Sequence, residues 1–184
     1  MANQLTMPVG PRDHMIGEDR APITLVEYGD YECPHCARAS SIVNRILSEM
    51  GPRLRFVFRN FPLSRIHPNA EAAAQFAEAA SAQGQYWQAH ELLFENHESL
   101  ELESLATFAS ELGLDIQKIL SDLEEGRYAA RVKEDLRSGV ESGVDATPGF
   151  FINGERYEGS WEYEPLRAAL ESYDPRAATE ARAS

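Results

Sequence analysis

The sequence predicts an α/β protein in which a mixed sheet is flanked by helices and a block of helices is inserted between the second and third core strands. Three observations predict it. Two short apolar runs, residues 23–28 and 53–59, bracket a helical stretch at 34–50. A long helical segment follows, assigned to residues 63–138. Strand character then returns at 149–152, directly before the turn pair Asn153-Gly154.

Each element has its own signal. Residues 23–28 are β-branched and mostly apolar, as in a buried strand. Pro34 suits the first position of the next helix, and Gly51-Pro52 stop it. In 53–59, Leu54, Phe56 and Phe58 alternate with Arg53, Arg55 and Arg59, which marks a strand with one strongly apolar face. Pro68 starts an alanine-rich helix with Ala72, Ala73, Phe76 and Ala80 on one face, broken by Gly84. Residues 86–96 make a second helix of the block. Leu102, Leu105, Ala106, Ala109 and Leu112 form the stripe of a third, closed by Gly113. Asp115 caps a short fourth that stops at Gly126. Tyr128, Val132, Leu136 and Val140 recur every fourth residue on a fifth. Asn153-Gly154 turns the 149–152 strand into another at 156–157, and 164–173 is a closing helix. The first strand–helix–strand unit implies a right-handed crossover between parallel strands, and the hairpin adds antiparallel ones. The whole chain, 1–184, reads as one domain, with residues 1–20 and 174–184 expected to be flexible tails.

Composition narrows the function. A net charge of −13 argues against nucleic acid or an anionic membrane as the main partner. No stretch approaches the roughly 18 apolar residues of a membrane span. The first twenty residues lack the apolar core of a secretory signal, so a cytoplasmic location is expected, with the periplasm requiring a leader that is not visible here.

Cys33 and Cys36 are the only two cysteines, and two residues separate them. One such pair cannot complete a four-ligand zinc site. As an inert staple it would stabilise little, because the closed loop is so short. Cys33 falls at a strand-to-helix turn, beside the positive end of a helix dipole, where a thiol pKa drops and a nucleophilic thiolate forms. The pattern points to thiol–disulfide chemistry, against a structural disulfide or a metal clip.

The element order is that of the thioredoxin fold, and Cys33-Pro34-His35-Cys36 resembles the active site of the DsbA-like branch of that superfamily. Thr147-Pro148 before an apolar strand is similar to the family's cis-proline loop. Glu27, six residues before the first cysteine (33 − 27), stands where the superfamily places a buried acid. The phrases Gly29-Asp30-Tyr31-Glu32-Cys33-Pro34, Phe61-Pro62-Leu63 with His67-Pro68, and Phe150-Phe151-Ile152-Asn153-Gly154 look closest to cytosolic members and to domains fused to sodium/proton antiporters.

The resemblance implies a protein-disulfide oxidoreductase with an exposed Cys33 nucleophile and a more shielded resolving Cys36. His35 places a donor or positive charge near the Cys33 thiolate; its bland alternative is a solvent-exposed loop histidine. Glu27 accepts the Cys36 proton, unless it is a strand-end carboxylate reaching solvent. Thr147 and Pro148 expose backbone to a substrate strand. No metal or organic cofactor is implied beyond the Cys33–Cys36 disulfide itself. The implied partners are cysteine-containing proteins or small thiols such as glutathione, and a monomer is expected. Two other functions compete: a redox-sensing or peptide-binding module without turnover, and a glutathione-dependent transferase or isomerase, whose members usually carry serine at the first cysteine. Tyr28 and Tyr31 read as packing residues, Trp87, His90 and Phe94 as core of the helical block, and His67 as a helix-start residue.

Overall fold

β-Branched and aromatic residues concentrate in the segments that form the sheet. The computed structural model describes residues 4–175. Its elements in chain order are β1 (His14–Gly17), β2 (Ile23–Gly29), α1 (Pro34–Met50), β3 (Leu54–Asn60), α2 (Ala70–Ser81), α3 (Tyr86–Glu95), α4 (Leu102–Glu111), α5 (Ile116–Glu124), α6 (Ala129–Glu141), β4 (Gly149–Ile152), β5 (Glu155–Tyr157) and α7 (Tyr163–Ser172). Among the described residues the five strands form one mixed sheet in the order β1-β3-β2-β4-β5. The fold is the expected thioredoxin fold with flanking helices.

The chain divides into two compact units. One takes the residues up to Tyr28, Arg38–Arg59 and those from Ser138 onward; the other takes Gly29–Ala37 and Asn60–Arg137. The helical block thus includes the turn after β2 and the start of α1, which the expected 63–138 boundary left out.

In the sheet unit, all seven positions of β2 are buried, so this strand has two covered faces. β2 and β4 pair antiparallel with Glu27 opposite Phe150. Asn153 and Gly154 both take positive φ, 49° and 87°, as a two-residue hairpin turn between β4 and β5 requires.

β1 is a strand that periodicity did not reveal. It pairs antiparallel with β3, from His14 opposite Phe58 to Gly17 opposite Arg55. A Cβ on Gly17 would lie 2.5 Å from the Leu54 carbonyl oxygen, so only glycine fits this crossing. The segment 4–20 is therefore no flexible tail: Leu5 N donates to the Gly154 carbonyl at 2.8 Å, and Thr6 N to Ser142 Oγ at 3.0 Å. At the other end Asp174 is buried and accepts from Arg53 at 3.4 Å; residues 176–184 of the expected tail lie outside the described residues.

The N-terminal segment is anchored by a buried charge. Arg59, on the polar side of the predicted strand pattern, is fully buried. It donates to both Asp13 oxygens at 2.7 and 3.0 Å, to the Met7 and Pro8 carbonyls at 2.9 and 3.2 Å, and to the Tyr28 hydroxyl at 2.9 Å. The Tyr28 hydroxyl in turn lies 2.8 Å from Ser138 Oγ. Burial works against the guanidinium charge, but the bonds to Asp13 and Tyr28 outweigh it and raise the pKa.

In the helical unit, α2 packs on α3, α4 and α5 through buried alanines and Phe76. The Asp115 side chain accepts from Lys118 N at 3.0 Å, capping α5 as expected. Leu102 and Val140, expected in apolar stripes, are 56% and 60% exposed. In α6, four residues turn the helix by about 400°, so the every-fourth stripe that ends on Val140 drifts around it, while Leu102 is the first residue of α4. The buried face of α6 runs through Val132, Asp135 and Ser138 instead.

Asp135 belongs to a buried polar cluster. It accepts from Asn60 N at 3.1 Å and pairs with Arg131, while Asn60 Nδ2 donates to Glu78 at 2.9 Å. Burial pushes the Asp135 pKa up. The Arg131 charge and the bonds from Arg131 and Asn60 pull it back, Glu78 adds to the rise, and the net shift is upward.

Two outcomes follow for stability. Asp13→Ala leaves Arg59 charged and buried, so it is expected to cost about 3–5 kcal/mol, read from urea midpoints. Replacing both partners, Asp13→Leu with Arg59→Met, is expected to cost less, because no lone charge remains. Asp135 holds its proton more tightly folded than unfolded. Its contribution is complete below the ordinary carboxylate value and is lost as pH rises through the raised one. The stability of the native chain relative to Asp135→Asn should therefore increase as pH falls from 7 towards about 4, in a series of urea melts.

Candidate active site

Residues 29–33 carry the chain from the end of β2 into α1, and they set the geometry of the cysteine pair. Cys33 N donates to the Asp30 carbonyl at 3.2 Å, closing a tight turn. The Cys33 carbonyl accepts from Ala37 N at 3.1 Å, the first bond of the helix. Cys33 thus caps a helix of 17 residues, where unpaired backbone N–H groups and the dipole favour negative charge. Pro34 occupies the first helical position, where its missing N–H costs nothing.

Cys33 is 4% exposed and Cys36 0%. The expected order of shielding therefore holds, but the expected open exposure of Cys33 does not. Asp30 and Tyr31 are buried beside it, and the exposure of the motif falls on Pro34 and His35.

Asp30 organises this turn. Its side chain is fully buried, and its carboxylate accepts from Glu32 N at 2.8 Å and Leu63 N at 2.8 Å. It also pairs with His67 Nδ1 at 2.8 Å. Its own backbone N–H points at Cys36 Sγ, 3.5 Å away. Glu32 makes a second tie: its carboxylate accepts from Asn69 N at 2.6 Å and Asn69 Nδ2 at 3.0 Å, just before α2. Sequence reasoning passed over Asp30 and Glu32 and read His67 only as a helix-start residue. The available signal was an aspartate between a strand end and a helix start, where such side chains bond backbone N–H groups.

Behind the turn lies an aromatic cluster. Tyr31 donates to the Tyr86 hydroxyl at 3.4 Å, and its own hydroxyl lies 3.0 Å from His90 Nδ1. Its ring packs on Phe94 at 4.8 Å. Burial, reinforced by Tyr31 and Glu78, pushes the Tyr86 phenol well up, so it stays neutral. Tyr31, His90 and Phe94 are core residues, as expected.

The remaining predicted site residues lie in the sheet unit. Glu27 is buried in β2. The Thr147-Pro148 peptide is cis, as expected, and leads directly into β4. The β2–β4 register sets Tyr28 opposite Gly149, so the proline immediately precedes the strand that pairs with the one carrying Glu27. Among the described residues, no cluster of three or more His, Cys, Asp or Glu side chains is arranged to hold a metal ion.

Fold and site together define a DsbA-like thiol–disulfide oxidoreductase fold carrying a CxxC pair. The thioredoxin family model matches residues 10–172, and the chain belongs to that family; its fold is that of DsbA proteins. It is 42% identical over 169 residues to the Na(+)/H(+) antiporter NhaA 1 of Salinispora arenicola, covering 91% of this chain and 26% of that protein. A Na(+)/H(+) antiporter NhaA of Herminiimonas arsenicoxydans is 40% identical, with 91% and 27% covered. The chain thus spans about a quarter of the length of these relatives. Among solved structures, a thioredoxin-like oxidoreductase from Silicibacter pomeroyi is 27% identical with a TM-score of 0.79, covering 89% of this chain and 92% of that one. BdbD from Bacillus subtilis, 24% identical, shares the fold with a TM-score of 0.82 over 94% and 96%.

These findings overturn the expected cytoplasmic location. The similar structures include DsbA proteins, whose type operates in the oxidising bacterial periplasm, and that finding stands against the cytoplasm. The expectation rested on the lack of an apolar leader, and a chain matching a quarter of its relatives carries no information there. No helix among the described residues is long and apolar enough to cross a membrane.

Proposed function

We propose that the chain catalyses thiol–disulfide exchange on cysteine-containing proteins or small thiols such as glutathione. The observation that supports this best is the placing of Cys33 at the N-terminus of α1 with Cys36 one turn inside. In the reduced direction the Cys33 thiolate attacks one sulfur of a substrate disulfide. A mixed disulfide forms and the substrate's other sulfur leaves with the electron pair. The Cys36 thiolate then attacks Cys33, releases the second substrate sulfur, and leaves the Cys33–Cys36 disulfide. The exchange runs through the cysteine pair with no metal or organic cofactor. His35, exposed in the first turn, supplies positive charge or a donor to the thiolate. Glu27 takes the Cys36 proton. Thr147 and Pro148 present backbone to the substrate strand.

One observation favours a second reading. The relatives are antiporters several times longer, so a similar domain is carried there on a transporter. A domain so placed can report redox state by switching between dithiol and disulfide. Insulin reduction with dithiothreitol separates the two: turnover supports the enzyme, and a single stoichiometric reaction supports the switch.

Cys36→Ser is expected to accumulate a long-lived mixed disulfide when mixed with a disulfide substrate, seen by mass spectrometry, while Cys33→Ser forms none. Adduct on the Cys33 variant alone would reverse the two roles. Glu27→Gln is expected to keep the fold yet slow resolution of the adduct, most at low pH where hydroxide cannot substitute. Equal rates from pH 6 to 8 would leave Glu27 with a structural role only.

A further inference from the structure

We propose that Asp30, held by His67, is a positioning residue that aims a backbone N–H at the Cys36 sulfur and makes Cys36 a better leaving group. The inference rests on the exchange reading above and deepens it.

The peptide between Gly29 and Asp30 is pinned on both edges. Its carbonyl accepts from Phe61 N at 2.7 Å, and its N–H faces Cys36 Sγ at 3.5 Å. Sulfur accepts weakly as a thiol and strongly as a thiolate, so this donor favours the charged form. The next carbonyl, of Asp30 itself, accepts from Cys33 N. One residue therefore sets both ends of the cysteine motif.

The carboxylate fixes that residue. An ionised carboxylate only accepts, so His67 carries its hydrogen on Nδ1 and donates it. With Glu32 N and Leu63 N this gives three donors on a fully buried side chain. The 63–67 loop is itself folded back, with Ile66 N and His67 N both donating to the Leu63 carbonyl, at 2.9 and 3.0 Å. Loss of the His67 bond would leave Oδ2 held by Leu63 N alone and loosen the carboxylate that orients the Asp30 peptide.

The consequence falls on one chemical step. A substrate thiolate attacks Cys33 Sγ of the protein disulfide. A substrate–Cys33 bond forms, the Cys33–Cys36 bond breaks, and its electron pair departs on Cys36. A lower-pKa thiol leaves faster, and the Asp30 N–H meets that developing charge. The same bond stabilises the reduced state and draws the equilibrium away from the disulfide.

The test uses the oxidised full chain with dithiothreitol, following loss of the disulfide by acid quench and thiol alkylation, together with a glutathione equilibrium titration. His67→Leu is expected to slow reduction about tenfold, the scale of one hydrogen bond to a charged group, and to shift the equilibrium towards the disulfide by a similar factor. His67→Asn, whose side-chain N–H takes the place of Nδ1, is expected to recover most of that loss. Asp30→Asn carries the test if His67→Leu fails to fold, and is expected to slow reduction likewise. A lower melting temperature with unchanged rate and equilibrium would make the pair merely structural and overturn the inference. If the unaltered chain does not exchange with dithiothreitol at all, the exchange reading fails first, and the inference falls with it.

Discussion

The turn from Gly29 to Cys33 is the constraint on which the site depends. β2 must stop, reverse its hydrogen-bonding habit and feed α1 within a few residues. The turn pairs the Gly29 carbonyl with Phe61, the Asp30 N–H with Cys36, the Asp30 carbonyl with Cys33, and the Asp30 carboxylate with Glu32, Leu63 and His67. A buried strand-to-helix connection with unmet backbone groups would cost a few kcal/mol for each. Satisfying them locks the direction of the helix axis relative to the first cysteine. The helix N-terminus then acts on that thiol without any further device.

Buried charge is used in the same way elsewhere, as a specifier of arrangement. Arg59 gathers Met7, Pro8, Asp13 and Tyr28 around one guanidinium, which fixes how the N-terminal segment lies across the sheet. A buried ion pair is seldom a net gain over apolar packing. Its geometry, however, is far more restrictive, because a planar fork accepts few arrangements of acceptors. Asn60, Glu78, Arg131 and Asp135 perform the matching task in the helical unit, tying the end of β3 to α2 and α6. Their cost is visible in the raised Asp135 pKa.

What the sequence makes legible is what depends on neighbours in the chain. The period of 2 in β3, Pro34 at the start of α1, Asp115 before α5 and Asn153-Gly154 in the hairpin are local, and each element falls within two residues of its expected bounds. The CxxC pair is local as well. β1 was hidden because four residues between glycine- and proline-rich stretches carry no usable period, and its partner β3 is far along the chain. Arg59 looked like a solvent-facing residue because alternation reports two faces and cannot say that both are covered. The bond between Asp30 and His67 is hidden for another reason: it spans a sequence separation that no window covers.

The burial of Cys33 changes how selectivity should be understood. An openly exposed thiolate would react with any disulfide that reached it, limited mainly by nucleophilicity. Here the residue is nearly buried while Pro34 and His35 stand out. Under the proposed exchange, a substrate sulfur would meet the exposed ring of Pro34 and imidazole of His35 before it reached Cys33. The two middle residues then act in two ways. They form the first turn of α1, and under the proposed exchange they would also be the surface a partner meets before any bond is made. On the proposed exchange, changing them would alter reactivity and recognition together, even though neither residue takes part in the exchange of electrons.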